Sequence, residues 1–141
     1  MKKQIKKETT RINSSYYSIV SDYEIATVGN FGTSVAGDYG IATSGDVGTA
    51  VADRYGIAKA GRYGTATAGD LGTAIAGDYG TAIAGIDGAV MAGKRGIISL
   101  LFRDGYNYVR KVGIIGENGL KPNVLYALDE KGNFVEREEI K

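Results

Sequence analysis

An octapeptide recurs ten times between Ser18 and Ile97. Two clear copies are Ala66-Thr67-Ala68-Gly69-Asp70-Leu71-Gly72-Thr73 and Ala74-Ile75-Ala76-Gly77-Asp78-Tyr79-Gly80-Thr81. The pattern reads small, Thr/Val/Ile, small, Gly, Asp/Arg, aromatic or aliphatic, Gly, Thr/Ile. Self-similarity at a fixed period marks a repeat architecture, in which each unit contacts only its neighbours. Helix is excluded, because two glycines per octad cost about 2 kcal/mol relative to alanine. Thr65-Ala66-Thr67-Ala68 instead alternates with period two, the strand period. Gly-Asp supplies a corner, since glycine accepts positive φ and aspartate bonds to nearby backbone. The second glycine, as in Tyr79-Gly80, permits another bend before the next strand. One octad is therefore one short strand plus one corner.

The octads alternate. Ile25-Ala26-Thr27, Ile41-Ala42-Thr43 and Ile57-Ala58-Lys59 form one series, and Thr33-Ser34-Val35, Thr49-Ala50-Val51 and Thr65-Ala66-Thr67 the interleaved one. Two octads then make one coil with two flat faces, and equivalent residues of successive coils stack about 4.8 Å apart. The corners agree. One column reads Asp22, Asp38, Arg54, Asp70 and the other Asn30, Asp46, Arg62, Asp78, Lys94. A pure aspartate column would repel itself, since unit charges ~5 Å apart in a surface-like medium interact by about 3 kcal/mol. Arg54 falls between Asp38 and Asp70, and Arg62 between Asp46 and Asp78, so each arginine is expected beside one of its aspartates. The predicted fold class is all-β: a two-sided β-solenoid, or β-roll, of about five 16-residue coils, roughly 24 Å long. Tyr23, Tyr39 and Tyr55 should stack on one edge, and Tyr63 and Tyr79 on the other.

Ala36, Ala42, Ser44, Ala50, Ala52, Ala58, Ala60, Ala66 and Ala68 hold the small positions. Uniformly small residues imply a thin interior in which Ala faces Ala. The alternate series contains Lys59, which has to reach water, and this puts Thr, Ile and Val outward. The opposite packing, an Ile/Val/Thr core with Lys59 as the anomaly, stays open at this level. Outward Ile25, Ile41, Val35, Val51, Ile75, Ile83 and Met91 would make apolar faces that are seldom left in water. They predict a protein partner, a homodimer burying one face about a two-fold axis, or cover from the terminal segments.

Three regions follow: a basic N-terminal leader or cap over 1–17, the octapeptide-repeat solenoid over 18–97, and a C-terminal β cap module over 98–141. The leader carries Lys2, Lys3, Lys6, Lys7 and Arg11 against Glu8. It lacks an apolar stretch, so it reads as neither signal peptide nor membrane anchor, and a cytoplasmic location is expected. With Tyr16-Tyr17 it is expected to cap the N-terminal end. Beyond Ile97 the repeat dissolves into Ile98-Ser99-Leu100-Leu101-Phe102, the hairpin signal Arg103-Asp104-Gly105, and a return strand from Tyr106 to Ile115. Glu117-Asn118-Gly119 marks another turn, and Val124 to Val135 a last hairpin. A solenoid leaves a raw strand edge at each end, and capping one is the plainest role for this module.

The repeats resemble those of two groups. Ala-Gly-Asp-Tyr-Gly-Thr-Ala-Thr is similar to the octads of bacterial ice-nucleation proteins. A closer resemblance, over residues 26–136, is to uncharacterised bacterial and phage octapeptide-repeat proteins. These carry Gly-Asp-Tyr-Gly-Thr-Ala runs and then a module with an aspartate-glycine hairpin and a Gly-x-Lys-Pro-Asn motif. Here that module stands as Val112-Gly113-Ile114-Ile115-Gly116-Glu117-Asn118-Gly119-Leu120-Lys121-Pro122-Asn123, followed by Tyr126-Ala127-Leu128-Asp129-Glu130-Lys131-Gly132. The resemblance implies a fold and a phage-like context, and no activity.

Catalytic chemistry is not legible. The chain has no His and no Cys, which removes the commonest general base, the thiolate and the soft metal ligands. Its carboxylates sit at regular corners. Calcium at Asp38 and Asp70 is disfavoured by the intruding Arg54. No glycine loop carries the Lys-Ser/Thr of a phosphate cradle, and a basic stripe for nucleic acid is lacking. The expectation is a non-enzyme without catalytic residues, cofactor, metal or small-molecule substrate. The leading reading is a protein-interaction protein, such as a phage or mobile-element product that binds and blocks a host protein. The alternatives are a structural or adhesin piece of a virion, or an ice-binding protein. Partner contact is expected on the solenoid surface at Arg54, Tyr55, Lys59, Arg62 and Tyr63, one central coil rich in the aromatic and arginine groups that interfaces favour.

Overall fold

The computed structural model describes residues 16–137. The repeat region forms β1 (Tyr17–Ile19), β2 (Ile25–Thr27), β3 (Thr33–Ala36), β4 (Ile41–Thr43), β5 (Thr49–Ala52), β6 (Ile57–Lys59), β7 (Thr65–Thr67), β8 (Thr73–Ile75), β9 (Thr81–Ile86) and β10 (Ala89–Met91). The cap adds β11 (Ile97–Asp104), β12 (Asn107–Ile114), β13 (Tyr126–Leu128) and β14 (Phe134–Glu136). The odd strands as far as β11, with β12 added at the end, stack into one seven-stranded sheet, β1-β3-β5-β7-β9-β11-β12, called face A below. The even strands as far as β10, followed by β13 and β14, stack into a second, β2-β4-β6-β8-β10-β13-β14, called face B. The molecule is a two-sided β-solenoid of five coils with a β-hairpin module at its C-terminal end.

Pairing in the repeats is parallel and in register at sixteen residues. Thr33 pairs with Thr49, Thr49 with Thr65 and Thr65 with Thr81. On the other face Ile25 pairs with Ile41, Ile41 with Ile57 and Ile57 with Thr73. Such stacking closes the backbone ladder between coils, which short strands could not do alone.

The interior is alanine. Ala26, Ala42, Ala50, Ala58, Ala66, Ala74 and Ala82 are all fully buried. The Thr, Ile and Val positions between them point outward and are half-buried by their own neighbours in the stack. The choice left open by the sequence is thus resolved toward alanine inside, and Lys59 is an exposed member of an outward row. Ser18, Ser34 and Ser44 occupy the same narrow interior, and their hydroxyls find no hydrogen-bond partner among the described residues. A buried unpaired hydroxyl is destabilising.

The corners work differently from the expectation. Positive φ falls on the residue after the Asp/Arg position: Tyr39 (61°), Tyr55 (60°), Tyr63 (58°), Leu71 (60°) and Tyr79 (60°) among others. The repeat glycines do not take it. A left-handed non-glycine residue costs on the order of 1–3 kcal/mol and persists only where its surroundings over-determine it. Here the Tyr39 N–H donates to the Arg54 carbonyl (2.9 Å) and the Tyr55 N–H to the Asp70 carbonyl (3.0 Å), each one coil on. Glycine is needed instead for space. A Cβ on Gly64 would lie 2.8 Å from the Ala60 Cβ and 2.9 Å from the Gly48 carbonyl oxygen.

The cap continues both sheets and then reverses direction. β11 extends the parallel stack from β9, with a bulge between Ser99 and Leu101, and β12 returns antiparallel to it. Its loop is Gly105-Tyr106, with Gly105 at φ 65°, the glycine placement of a type II′ turn. β13 pairs antiparallel with β10 through Val90 and Tyr126, and β14 with β13. This end supplies the bulk that the coils lack. Val90, Ile98, Leu100, Ile115 and Tyr126 are buried, with Leu120, Val124, Leu128 and Phe134 against them. The β13–β14 turn is closed by Asp129, whose carboxylate accepts from the N–H groups of Lys131 and Asn133 (both 2.9 Å). Those bonds hold its pKa below the ordinary range, so the turn is strongest with Asp129 ionised and weakens as pH falls through that lowered value. At the other end Tyr17 is the first residue of β1 and pairs with Thr33. The expected capping by the leader falls, for residues 1–15, outside the described residues.

Two stability measurements test this packing. Gly64→Ala should lower the unfolding free energy by about 1–3 kcal/mol, the range for overfilling a tight site. Ser34→Ala should raise it by about 1 kcal/mol, by removing a buried unpaired hydroxyl. Urea unfolding monitored by circular dichroism reads both; a stable Gly64→Ala variant would contradict the contact distances.

Candidate interaction surface

Four regular surfaces result: two flat faces and two columns of corners. Face A carries the row Thr33, Thr49, Thr65, Thr81 beside the row Val35, Val51, Thr67, Ile83. Face B carries Ile25, Ile41, Ile57, Thr73 beside Thr27, Thr43, Lys59, Ile75. The isoleucine row is less exposed than a bare apolar stripe. Ile41 and Ile57 are half-buried by coils on both sides, and only Ile25, in the first coil, is 62% exposed. Stacking along the solenoid thus removes much of the surface that prompted the expectation of a face-to-face homodimer.

The corner tyrosines stack as predicted. Tyr23 and Tyr39 have ring centroids 4.9 Å apart, and Tyr39 and Tyr55 4.7 Å, both with rings parallel to 1°. Tyr63 and Tyr79 stack at 5.1 Å on the opposite edge. All five remain exposed. Stacked rings at this spacing are held in one orientation by the coil repeat, so the edge is aromatic and ordered at once.

The aspartate columns have a role that charge reasoning missed. Four of the five column aspartates accept, through Oδ1, the backbone N–H of the equivalent residue one coil on: Asp22 from Asp38 (2.8 Å), Asp46 from Arg62 (2.9 Å), Asp70 from Ile86 (2.9 Å) and Asp78 from Lys94 (2.9 Å). Asn30 does the same for Asp46 (2.8 Å). A neutral amide thus makes the same bond as a carboxylate, which points to the acceptor and not the charge as the common feature. Arg62 does meet Asp46, Nη2 to Oδ2 at 3.4 Å, but both side chains are open to solvent, where such pairs contribute little. Arg54 sits in register between Asp38 and Asp70, yet its guanidinium makes no ion pair among the described residues. Its N–H is taken by the adjacent Asp53 carboxylate (3.0 Å).

Arg54, Tyr55, Lys59, Arg62 and Tyr63 fall on one half-coil. Arg54 and Tyr55 form the corner before β6, Lys59 ends β6, and Arg62 and Tyr63 form the corner after it. All five are exposed. They run from one edge of face B, across it, to the other edge, with Lys59 between Thr43 and Ile75 in the stack. Away from this band, a cleft of about 510 Å³ opens in the cap, between Ile86–Gly88, Leu100–Arg103 and Ala127–Glu130, with Arg137 at its rim. Its walls mix Asp87, Asp129 and Glu130 with Arg103 and Arg137. Among the described residues no group of three or more His, Cys, Asp or Glu could hold a metal ion, and no helix is long and apolar enough to cross a membrane.

The sequence reading missed one exposed region, the β11–β12 hairpin. Tyr106 stands fully exposed at its tip, and Tyr108, Val109, Val112 and Ile114 are exposed along β12. The available signal was the sequence Asn107-Tyr108-Val109-Arg110-Lys111-Val112-Gly113-Ile114, a strand with apolar residues on both faces. No family model, no curated protein and no solved structure matches the chain, so its likeness to the octapeptide-repeat groups rests on the motifs quoted above.

Asp70→Ala should destabilise the solenoid by about 1 kcal/mol through loss of the Ile86 N–H bond, whereas Asp70→Asn should leave it near wild type. Thermal melts at low and high salt decide it. Equal losses in the two variants would mean that charge, not the acceptor, matters.

Proposed function

We infer that the chain is a non-enzymatic protein-interaction module whose partner docks across face B on the band formed by Arg54, Tyr55, Lys59, Arg62 and Tyr63. One observation carries this reading: these five exposed side chains cross a flat, rigid face along one half-coil at the middle of the solenoid. Arginine and tyrosine are the side chains most enriched at binding hot spots. A surface locked by parallel stacking loses little conformational freedom on docking. The half-buried Ile41, Ile57 and Thr43 rows flank the band and supply apolar contact around the charged groups. The resemblance to phage proteins favours a product that binds and blocks a host protein in the cytoplasm.

A second reading has its own support. The four-threonine row of face A, in register with Val35, Val51, Thr67 and Ile83, is a flat ordered array of the kind suited to organising water. Thermal hysteresis in a freezing assay tests ice binding, and its absence removes that reading.

For the protein-binding reading, wild type and the Lys59→Glu/Arg62→Glu variant should be compared as bait in lysate, with captured proteins identified by mass spectrometry. The variant should lose a partner that the wild type retains, with an unchanged circular dichroism spectrum. Equal capture by both would exclude the band as the contact.

A further inference from the structure

The two sheets have four edges, formed by β1, β12, β2 and β14. Three of these strands are three residues long, and β12 has eight. Long edge strands invite pairing, and proteins commonly guard them with proline, a bulge or protruding charge. β12 has none of these. The chain's one proline is Pro122, outside the strand. All eight β11–β12 pairs run without a register shift. Its two cations are turned back onto the protein's own body. Arg110 Nη1 donates to the Ala84 carbonyl (3.2 Å) and Ser99 Oγ (3.3 Å), and Lys111 Nζ lies 5.6 Å over the Phe102 ring. By contrast the β14 edge carries Glu136, in an ion pair with Lys121.

The hydrogen-bond pattern says which groups are free. The Ile115 N–H donates to the Gly96 carbonyl (2.9 Å), so odd-numbered residues of the return strand bond toward the body. In an antiparallel ladder these alternate with residues facing the other way. Tyr108, Arg110 and Val112 therefore direct their N–H and C=O groups at the open edge, and Ile114 its N–H, its carbonyl accepting the Glu117 N–H (3.1 Å). Paired residues share a face, so Ile114 lies beside Ile97, and Val112 beside Ser99, on the outside of face A. Val112 is 60% exposed and Ile114 43%.

We propose that β12 is a self-association edge, pairing antiparallel with the β12 of a second copy about a two-fold axis at Val112. The free-group pattern permits only registers that set even residues opposite even residues. Centring on Arg110 puts that arginine opposite its own copy, and centring on Lys111 does the same for the lysine; like charges opposite one another are destabilising. Centring on Val109 avoids this but sets the exposed Val112 opposite the hairpin tip at Tyr106 and leaves the Ile114 patch uncovered. Centring on Val112 sets Val112 against the partner's Val112, Arg110 against the partner's Ile114, and Lys111 against the partner's Gly113. No like charges face each other, and about four backbone hydrogen bonds form, two between the Val112 residues and two from the Ile114 N–H groups to the Arg110 carbonyls. The operation joins the two A sheets into one continuous sheet and brings the Val112 and Ile114 patches together. A two-fold contact of this kind closes on itself, so it stops at the dimer. This contact is independent of the face B reading, and either can fail alone.

Light scattering with size exclusion, at tens of micromolar protein, should give wild type a mass of twice 14.8 kDa. Val112→Lys should halve that mass, as should Val112→Glu, while an equimolar mixture of the two should restore it. Val112→Pro, which removes an N–H aimed at solvent and not at β11, should also be monomeric. Circular dichroism should stay unchanged in all three. Because the chain has no cysteine, Val112→Cys introduces a single thiol. It should form an intermolecular disulfide under mild oxidation, since directly paired Cα atoms about 5.5 Å apart lie within bridging range. A monomeric wild type, a dimer that survives these substitutions, or a Val112→Cys variant that stays reduced would each overturn the proposal. So would pairing of β12 with a strand of a different protein in place of its own copy.

Discussion

Between the two sheets there is room for alanine and for little else. Ala26, Ala42, Ala58 and Ala74 from one sheet, and Ala50, Ala66 and Ala82 from the other, reach zero exposure. A methyl-sized group contributes only about 0.8 kcal/mol on burial, against about 1.5–3 kcal/mol for a full Leu or Ile side chain. Such a core is weak per residue. The coils compensate through their neighbours, with a parallel backbone ladder, Thr, Ile and Val rows that shield one another, stacked tyrosines, and aspartate side chains that satisfy the next corner's N–H. Each of these is an interaction between residues sixteen apart, so a coil has no stable form without the coils beside it.

That dependence makes the ends decisive. A thin stack can neither bury its last strand nor satisfy its last ladder. The cap meets both needs at the C-terminal end, through β11 and β12 on one sheet and β13 and β14 on the other. It also carries the largest buried side chains among the described residues, Ile98, Leu100 and Tyr126 among them. Closing one edge nevertheless creates another. β14 ends its sheet with a short, charged strand, whereas β12 ends the other with a long one whose cations are engaged elsewhere.

The same regularity organises the surface. A globular domain gathers functional groups from distant loops into a cleft. A solenoid offers rows, and what stands out on its surface is a departure from the row. Lys59 in a Thr/Ile row, and Arg54 and Arg62 in aspartate columns, are such departures. They lie together because the chain crosses one face of a coil in eight residues. Their positions on a single strand and its flanking corners could be read directly from the chain, as could their exposure.

Much of this fold was legible because in a repeat protein the spatial neighbour of a residue lies at a fixed sequence distance. The sixteen-residue register and the stacking of Tyr23, Tyr39 and Tyr55 follow from reading the chain in columns, whereas the alanine interior was favoured by Lys59 and settled by the structure. What the columns do not contain is backbone direction. The positive φ of Tyr39 and Tyr55, which the repeat glycines were expected to take, is set by N–H bonds to the following coil, and the glycines are required by the close approach of Ala60 and Gly48 to positions like Gly64. The choice of Asp46 Oδ1 as an acceptor for Arg62 N–H, and the failure of Arg54 to pair, depend in the same way on where amides and side chains point. The open edge of β12 depends on a strand reversal outside the period. Sequence by itself determined which residues are stacked on which; only the tertiary structure decided where their polar groups are aimed, because hydrogen bonds are directional and hydrophobic spacing is not.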